Sequence, residues 1–194
     1  MQILVGCDPE VFVKNNGKFI SAHGLIKGDK KNPQPVNLGA VQVDGMALEF
    51  NINPAASEDE FLINVNEVFN TLKLMVPEYE VVAVPVADFD EEYMKQQPAE
   101  ALELGCDPDY NAWYLAANDK PNGDRPFRTA SGHVHIGWTN GEDIKGDHFF
   151  QAAEVAKQMD FFLGLPSLAY DDDVRRRELY GKFGCFRPKS YGVS

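Results

Sequence analysis

The sequence predicts an α+β fold, with two long helices and a largely antiparallel sheet, built as a single domain over residues 1–194. Three observations support this prediction. Apolar and polar residues alternate in several short segments, which is the period of a β-strand. Two longer segments repeat apolar residues at helical spacing. The 194 residues are 44% hydrophobic, which is enough to bury a substantial core.

Short strands are predicted at residues 2–5, 10–14 and 18–22, and Asn15-Asn16-Gly17 supplies a turn that tolerates positive φ between the last two. The fold is therefore expected to open with a hairpin. Within the middle strand, Glu10 lies on the face opposite to the strand's valines. We therefore expect Glu10 to face a site rather than the core.

A second strand with an acidic face is predicted after residue 41. The apolar positions are odd before Asp44-Gly45 and even after it, which requires a bulge or a tight turn at this point. Beyond the turn, one face carries Met46, Leu48, Phe50 and Ile52, and the other carries Glu49, Asn51 and Asn53. Because side chains alternate along a strand, Glu49 is expected on a polar face.

The first long helix is predicted at residues 58–75. Ser57 and Glu60 form a capping box before it, and apolar residues then recur at helical spacing. The helix is expected to back the sheet. Residues 81–87 follow as one buried strand, in which Pro85 favours an edge position or a bulge.

The remainder of the chain is predicted to contain loops and a second long helix. The acidic residues 88–104 are expected to include one helical turn, and residues 118–127 form a turn-rich loop by composition. The second long helix is predicted at about residues 147–163, ended by the following Gly164 and Pro166.

The segment Arg128–Gly137 contains the clearest candidate for a site. Its alternation places His133 and His135 on one strand face, and Val134, Ile136 and Trp138 on the other. One face is therefore expected to pack and the other to carry chemistry. A half-buried strand whose histidines hydrogen-bond to their neighbours is the alternative.

The charge and the apolar pattern disfavour two classes of partner, nucleic acids and membranes. Lys and Arg number 18 against 30 Asp and Glu, and the net charge of −12 disfavours binding to nucleic acid backbones and anionic membranes. No apolar run approaches the roughly 20 residues that span a bilayer. The first residues also lack the pattern of a secretory signal, so a cytoplasmic protein is predicted.

The three cysteines are an odd number without a CxxC pair, which favours reduced thiols over a disulfide framework. Each follows a glycine, and small buried strand residues explain this pattern. A zinc site built from Cys7, Cys106 and Cys185 with a histidine is the alternative.

Carboxylates on strand faces, an imidazole pair and arginines gathered in the last third form a coherent set of parts. Carboxylate oxygens are ligands for Mg²⁺, and guanidinium groups hold phosphoryl oxygens. Phosphoryl transfer needs both a bound metal ion and cationic side chains. Because the chain has neither a Walker loop nor a kinase signature, a nucleotide would be held through metal ions and arginines.

Five motifs carry these residues, namely Gly6–Glu10, Asp44–Asn51, Gly105–Ala112, Arg128–Gly137 and Tyr180–Val193. In this order they resemble the motifs of the phage-encoded carboxylate-amine ligases, or amidoligases, of the glutamine synthetase and glutamate-cysteine ligase superfamily. The resemblance covers essentially the whole chain. It implies a curved, largely antiparallel half-barrel backed by helices, which holds ATP with Mg²⁺ or Mn²⁺ on its concave face.

The resemblance assigns metal binding to Glu10, Glu49 and His135. It assigns catalysis to Arg128, Arg187 and His135, and the bidentate geometry of arginine suits a substrate carboxylate and an acyl-phosphate. Which of the two histidines contacts a metal or the γ-phosphate is left open between them.

Cofactor binding is assigned by the same resemblance to Lys182, Arg187 and His133. Asp44 and Asp109 are further candidates from the motifs. For Asp44, a role in forming the turn is an equal alternative.

The implied reaction moves the γ-phosphate of ATP to a carboxylate, and an amine then attacks the acyl-phosphate to form an amide. The implied substrates are small-molecule or peptide carboxylates and amines, in the cytoplasm of a phage-infected or prophage-bearing bacterial cell, and a homo-oligomer fits the superfamily. The family's last motif continues past Val193 with a glutamate and an arginine, whereas this chain has Ser194. We therefore expect a C-terminally incomplete domain that is poorly active as 194 residues.

Two other functions are compatible with the sequence. A degenerate module would bind a metal-nucleotide complex or a peptide without turnover. A metal-dependent hydrolase would use His133 and His135 as ligands of a transition metal and would not depend on ATP. Metal analysis combined with a nucleotide-binding assay separates these functions from the ligase.

Overall fold

The chain is a mixed α/β protein in which antiparallel sheets are packed against helices. Among the residues that the structure describes, no sheet closes into a barrel. The structure, a computed structural model, describes residues 2–102, 109–119, 127–142, 146–171, 173–179 and 181–194.

The largest sheet comes from the first 82 residues. The strands of this part are β1 (Leu4–Cys7), β2 (Glu10–Asn15), β3 (Lys18–Ile20), β4 (Gln34–Val36), β5 (Gly39–Asp44), β6 (Ala47–Ile52) and β7 (Glu80–Val82). The sheet has the order β3-β2-β6-β5-β4. β7 pairs with β2 beyond the residues at which β2 pairs with β6. β1 belongs to a different sheet.

The predicted hairpins are confirmed with small shifts in their limits. Asn15 pairs with Lys18 across the first turn, and β3 ends two residues earlier than predicted. The parity change at Asp44 is a two-residue turn, in which Gly45 has a φ of 57°. The first strand, predicted at residues 2–5, lies instead at Leu4–Cys7, where its partner strand fixes it.

Helix α1 (Glu58–Met75) has the predicted limits. The backbone N–H of Glu60 donates to Ser57 Oγ, and the Glu60 carboxylate accepts from the backbone N–H of Ala56. The apolar side of α1 packs on the large sheet and forms the first core cluster, which includes Val11, Val13, Val41, Leu48, Phe50, Ile52, Val68 and Leu72. This packing confirms that α1 backs the sheet.

The other face of the large sheet forms a second core cluster, which includes Phe12, Met46, Ala47, Ala87, Phe89 and Met94. The sheet is therefore covered on both faces. Met46 was predicted on the same face as Leu48, and this prediction is wrong. Met46 belongs to the turn that precedes β6, so strand alternation does not govern its side chain.

The single strand predicted at residues 81–87 is wrong. β7 ends at Val82, and β8 (Val86–Asp88) begins after Pro85 and pairs with β11 (Phe127–Thr129) in another sheet. Pro85 has no N–H to donate to a ladder, while its carbonyl accepts from the backbone N–H of Ala130. The chain therefore changes sheet at Pro85.

The acidic segment after β8 contains two short helices rather than one helical turn. They are α2 (Glu91–Lys95) and α3 (Ala99–Leu102). Residues 103 and 104 of that segment, and most of the loop predicted at 118–127, lie outside the described residues.

The remaining strands are short. They are β9 (Tyr110–Asn111), β10 (Ala116–Ala117), β12 (Val134–Gly137), β13 (Cys185–Phe186), β14 (Pro188–Lys189) and β15 (Gly192–Val193). They form the sheets β1-β12-β15-β14 and β10-β9-β13. Helix α4 (His148–Met159) packs its alanines against this part in a third core cluster, with Ala112, Phe186 and Val193.

The predicted end of the second long helix is wrong. After α4, a π-helical segment occupies Asp160–Gly164, and α5 (Leu165–Ser167) continues past Pro166. Pro166 is the second residue of the new helical turn, where no intrahelical donor is needed. Helix α6 (Arg175–Leu179) follows.

No helix in the described residues has the length and apolar character that crossing a membrane requires.

Candidate functional site

A cavity of about 610 Å³ lies between the second and third core clusters. Met46 and Ala47 line it from one cluster, and Ala156 and Phe186 from the other. Its charged and titratable lining consists of Glu10, Asp44, Asp109, Arg128, His133, Asp160, Tyr170, Arg176, Lys182 and Arg187, with the thiols of Cys7 and Cys185. Acidic and basic side chains therefore share one cavity.

Three carboxylates form an acidic triad, namely Glu10, Asp44 and Glu49, of which Glu10 and Asp44 line the cavity and Glu49 is buried. One oxygen of each lies within 4.8 Å of the others. The strands dictate this grouping, because Glu10 of β2 lies directly opposite Glu49 of β6, and Asp44 ends β5. Like charges in directly opposed positions are unfavourable in a sheet, so the arrangement needs a compensating partner.

Each carboxylate of the triad has a polar partner among the described residues. The backbone N–H of Ser131 donates to Glu10 at 2.8 Å, and Gln42 Nε2 donates to Glu49 Oε2 at 2.8 Å. Lys30 Nζ lies 2.7 Å from Asp44 Oδ2. Among these partners only the lysine carries a positive charge.

The electrostatics of the triad favour bound protons. Burial raises the pKa of Glu10 to about 7, and the nearby Asp44 adds to this effect against the hydrogen bond from Ser131. Burial raises the pKa of Glu49 to about 8, again helped by neighbouring carboxylates and opposed by Gln42. Burial is thus the main reason that Glu10 and Glu49 favour the protonated form, and the neighbouring carboxylates add to it.

A second group, the Asp8 cluster, consists of Asp8, His133 and His135. Potential ligand atoms of the three side chains also lie within 4.8 Å of one another. His133 Nδ1 lies 3.0 Å from Asp8 Oδ1, and His135 Nε2 lies 3.1 Å from Asp8 Oδ2. Burial alone would raise the pKa of Asp8, but the hydrogen bonds from both imidazoles outweigh it and hold that pKa well below its usual range.

The hydrogen bonds of the Asp8 cluster continue in both directions. Arg187 donates from a guanidinium nitrogen to His133 Nε2 at 2.8 Å, so the proton of a neutral His133 lies on Nδ1 and points to Asp8. On the other side, the Tyr191 hydroxyl bonds to His135 Nδ1. Burial, with the charge of Asp8, raises the pKa of Tyr191 to about 12.

The two groups are joined because the chain before β2 runs beside residues 131–133. The backbone N–H of Glu10 donates to the carbonyl of Ser131, and that of Asp8 donates to the carbonyl of His133. Gly132 has a φ of 152°, and a Cβ there would lie 2.9 Å from Pro9 Cα. Glycine is therefore required for this close approach.

The segment Arg128–Gly137 was predicted to carry both histidines on one strand face, but the strand begins at Val134 and His133 precedes it. β11 ends at Thr129 and β12 begins at Val134, in different sheets. His133 and His135 nevertheless lie side by side, with ring centroids 6.1 Å apart. Ile136 and Trp138 pack against the third core cluster as predicted, but Val134 is exposed.

The predicted cationic residues all reach the cavity. Arg128 is only 7% exposed and donates to the backbone carbonyls of Phe127 and Leu102. Lys182 and Arg187 line the side formed by the last residues of the chain. Asp109 lines the cavity as well, and accepts a hydrogen bond from Asn118 Nδ2 at 2.9 Å.

The structure therefore divides the metal ligands that the sequence suggested. Glu10 and Glu49 come together with Asp44, whereas His135 joins Asp8 and His133. Sequence reasoning missed Asp8, although it belongs to the same Gly6–Glu10 motif as Glu10. It also missed Gln42 and Tyr191, for which the sequence offers no clear signal.

The cysteines give no support to the zinc alternative. Cys7 and Cys185 are free thiols, and burial raises the pKa of each to about 11. Neither belongs to a cluster of metal-ligand atoms among the described residues. Cys106, with the first half of the Gly105–Ala112 motif, lies outside them.

Comparison with protein-family models, curated proteins and solved structures finds no match to this chain.

Proposed function

We propose that this protein is an ATP-dependent carboxylate-amine ligase, which forms an amide through an acyl-phosphate. The observation that carries the proposal is that Glu10 and Asp44 of the acidic triad line the same cavity as Arg128, Lys182 and Arg187. A carboxylate cluster suits the divalent cation of a nucleotide, and cations suit the phosphoryl and carboxylate oxygens. The motif resemblance supports the same reaction, and the half-barrel form of the sheet is part of the proposal.

The acidic triad fits Mg²⁺ or Mn²⁺. Its donors are all carboxylate oxygens, which are the ligands that hard divalent cations prefer. Burial, helped by the neighbouring carboxylates, raises the pKa of Glu10 and Glu49, and a bound cation would favour their charged forms. Glu10, Asp44 and Glu49 would hold the cation, which when bound neutralises charge on the polyphosphate.

The chain's own cations orient the reacting groups. Arg128 is fixed by its backbone partners, and a guanidinium in this position can hold a carboxylate through two parallel hydrogen bonds. Arg187 is oriented by His133 and is placed to hold the phosphoryl oxygens together with Lys182. The amine then attacks the acyl carbon, phosphate leaves, and the amine nitrogen loses a proton.

Hydroxylamine trapping tests the proposal without knowledge of the natural amine. The protein is incubated with MgATP, hydroxylamine and, one at a time, the proteinogenic amino acids and short peptides, and hydroxamate and ADP are measured. We expect hydroxamate that requires ATP, Mg²⁺ and a particular carboxylate. Glu49→Gln and Arg187→Lys should each lower the rate by about tenfold or more.

The matched control is Glu78→Gln, which changes an exposed glutamate by the same atoms and should leave the rate unchanged. MgATP binding without ADP formation for every carboxylate would favour the non-catalytic binding module. Absence of MgATP binding by the folded protein would remove the ligase proposal.

A metal-dependent hydrolase is the second candidate, and the Asp8 cluster is the observation that favours it. One carboxylate and two imidazoles are a donor set that suits Zn²⁺ or another transition metal. Zn²⁺-dependent hydrolysis of an ester or peptide without ATP, lost in His135→Gln but kept in Glu49→Gln, would favour this function over the ligase.

A further inference from the structure

We propose that Arg176 is an anion-binding residue of the cavity, which holds a phosphate chain, and that Asp171 and Gly181 position its guanidinium. The proposal deepens the proposed function, on which the identity of the phosphate donor rests. The binding site itself rests on the geometry below.

Arg176 belongs to α6 and lines the same cavity as Lys182 and Arg187. Its side chain is 17% exposed, so it lies along the wall rather than in bulk solvent. Its Nη2 atom lies 3.2 Å from Asp171 Oδ2. A guanidinium anchored at one nitrogen keeps further N–H donors for a ligand.

Asp171 forms ion pairs with two arginines, Arg176 and Arg177. Arg177 Nη2 also lies 3.2 Å from Asp171 Oδ2, and it donates to the Asp171 backbone carbonyl at 2.8 Å. One carboxylate thus faces two guanidinium groups, so its charge does not cancel both. Of the two arginines, Arg176 lines the cavity.

The Arg176 guanidinium lies close to the backbone at Gly181, where there is no side chain. A Cβ at residue 181 would lie 2.4 Å from Arg176 Nη1. Gly181 also has a φ of 68°, in the region that favours glycine. A side chain at residue 181 would displace the guanidinium and strain the backbone there. Glycine at residue 181 therefore leaves the space that the Arg176 guanidinium occupies.

The charge of this wall favours phosphate over a carboxylate. Arg176, Lys182 and Arg187 are three cations from one short stretch of chain at one cavity. A single carboxylate carries one negative charge, whereas a phosphate chain carries several and accepts hydrogen bonds along its length. The ligand class that fits is therefore a di- or triphosphate group.

Calorimetry with inorganic tripolyphosphate tests the assignment at fixed ionic strength, with citrate as a carboxylate of comparable charge. We expect tripolyphosphate to bind more tightly than citrate. Arg176→Gln should weaken tripolyphosphate binding by about tenfold or more, as expected for a charged hydrogen bond. The matched control is Arg177→Gln, which removes the same charge from the same carboxylate and should change the affinity by less than about twofold.

The variant Asp171→Asn distinguishes a role of Asp171 in positioning Arg176 from an effect of its negative charge alone. It makes the region more positive, so a purely electrostatic role predicts tighter tripolyphosphate binding. A positioning role predicts weaker binding, because Arg176 loses its anchor, and we expect the weaker binding. Gly181→Ala should weaken binding in the same way, which covers the case in which one variant fails to fold.

Equal effects of Arg176→Gln and Arg177→Gln, tighter binding by Asp171→Asn, or tripolyphosphate binding no tighter than citrate would overturn the proposal. The outcome is separable from that of the ligase. Tripolyphosphate binding through Arg176 without hydroxamate formation would keep the phosphate site and reject the ligase. Hydroxamate formation that is unchanged in Arg176→Gln would keep the ligase and reject the phosphate site.

Discussion

Asp8 and Glu49 are neighbouring, largely buried carboxylates, yet their pKa values move in opposite directions. Burial raises both. Two imidazoles and a backbone N–H donate to Asp8 and overcome burial, whereas Glu49 receives one amide hydrogen bond and faces two further carboxylates. The number of donors around a carboxylate, rather than its depth, thus sets its charge in this site.

The Asp8 cluster and the acidic triad therefore differ in how readily they can bind a cation. In the Asp8 cluster, every imidazole nitrogen already has a hydrogen-bond partner. One nitrogen of each ring donates to Asp8, and the other nitrogen bonds to Arg187 or Tyr191. The acidic triad has an excess of acceptors. A divalent cation would replace the shared protons of the triad, and this is the physical basis for placing the metal there.

The largest expected effect is on the pH dependence of stability. Glu49 binds a proton in the folded state up to about pH 8, whereas the unfolded glutamate loses it near its usual pKa of 4.5. The folded state therefore holds more protons between these values, and stability falls as pH rises, by about 1.4 kcal/mol per pH unit and group. Glu10, with a pKa of about 7, adds to the fall.

Glu49→Gln should remove Glu49's part of this dependence. Chemical denaturation without divalent cations should show the variant more stable than wild type at pH 8, on the order of 2–4 kcal/mol, and little changed at pH 5. Gln42 can still donate to the new amide oxygen. Glu78→Gln is the control, and identical pH profiles for Glu49→Gln and wild type would contradict the raised pKa.

The Asp8 cluster should show the opposite sign. A carboxylate whose pKa lies below its unfolded value of 3.8 stabilises the fold above that pH, and the stabilisation is lost as pH falls. Asp8→Asn should therefore lower the free energy of unfolding at pH 7 by about 1–3 kcal/mol and flatten the loss of stability in acid. Urea denaturation from pH 3 to 7 measures both, and a more stable variant at pH 7 would contradict the account.

The smallest expected effect is that of the tyrosine at the end of the hydrogen-bond chain. Tyr191→Phe removes one hydroxyl beside His135 and should lower stability by about 0.5–1.5 kcal/mol at pH 7. The fold should be kept, and Mg²⁺ binding by the triad should not change. Loss of Mg²⁺ binding in this variant would show that the two groups are not independent.

Local signals in the sequence predicted the elements that they determine. The capping box and helical period gave α1 its limits, and the parity change located the turn at Gly45. The predictions failed where tertiary structure decides the outcome. Pro85 moves the chain from one sheet to another, and a π-helical segment carries the helix past Gly164 and Pro166.

For the site, strand parity correctly placed Glu10 at the cavity and favoured a polar environment for Glu49. Parity within one strand cannot say which strands become neighbours, so the partner of His135 was not predictable. Its partner Asp8 directly follows β1, more than 120 residues earlier in the chain, and the pairing of β1 with β12 brings it close. Similarly, Lys30 reaches Asp44 from a loop without a regular pattern.

The most direct test of the acidic triad as a cation site is the number of protons released when Mg²⁺ binds. Calorimetric titrations at about pH 7.5, in two buffers of different ionisation enthalpy, give that number. Because Glu10 and Glu49 titrate near 7 and 8, Mg²⁺ binding should release about one proton, and Glu49→Gln should lose most of the release. Mg²⁺ binding without proton release, or with the same release in Glu49→Gln, would contradict the account.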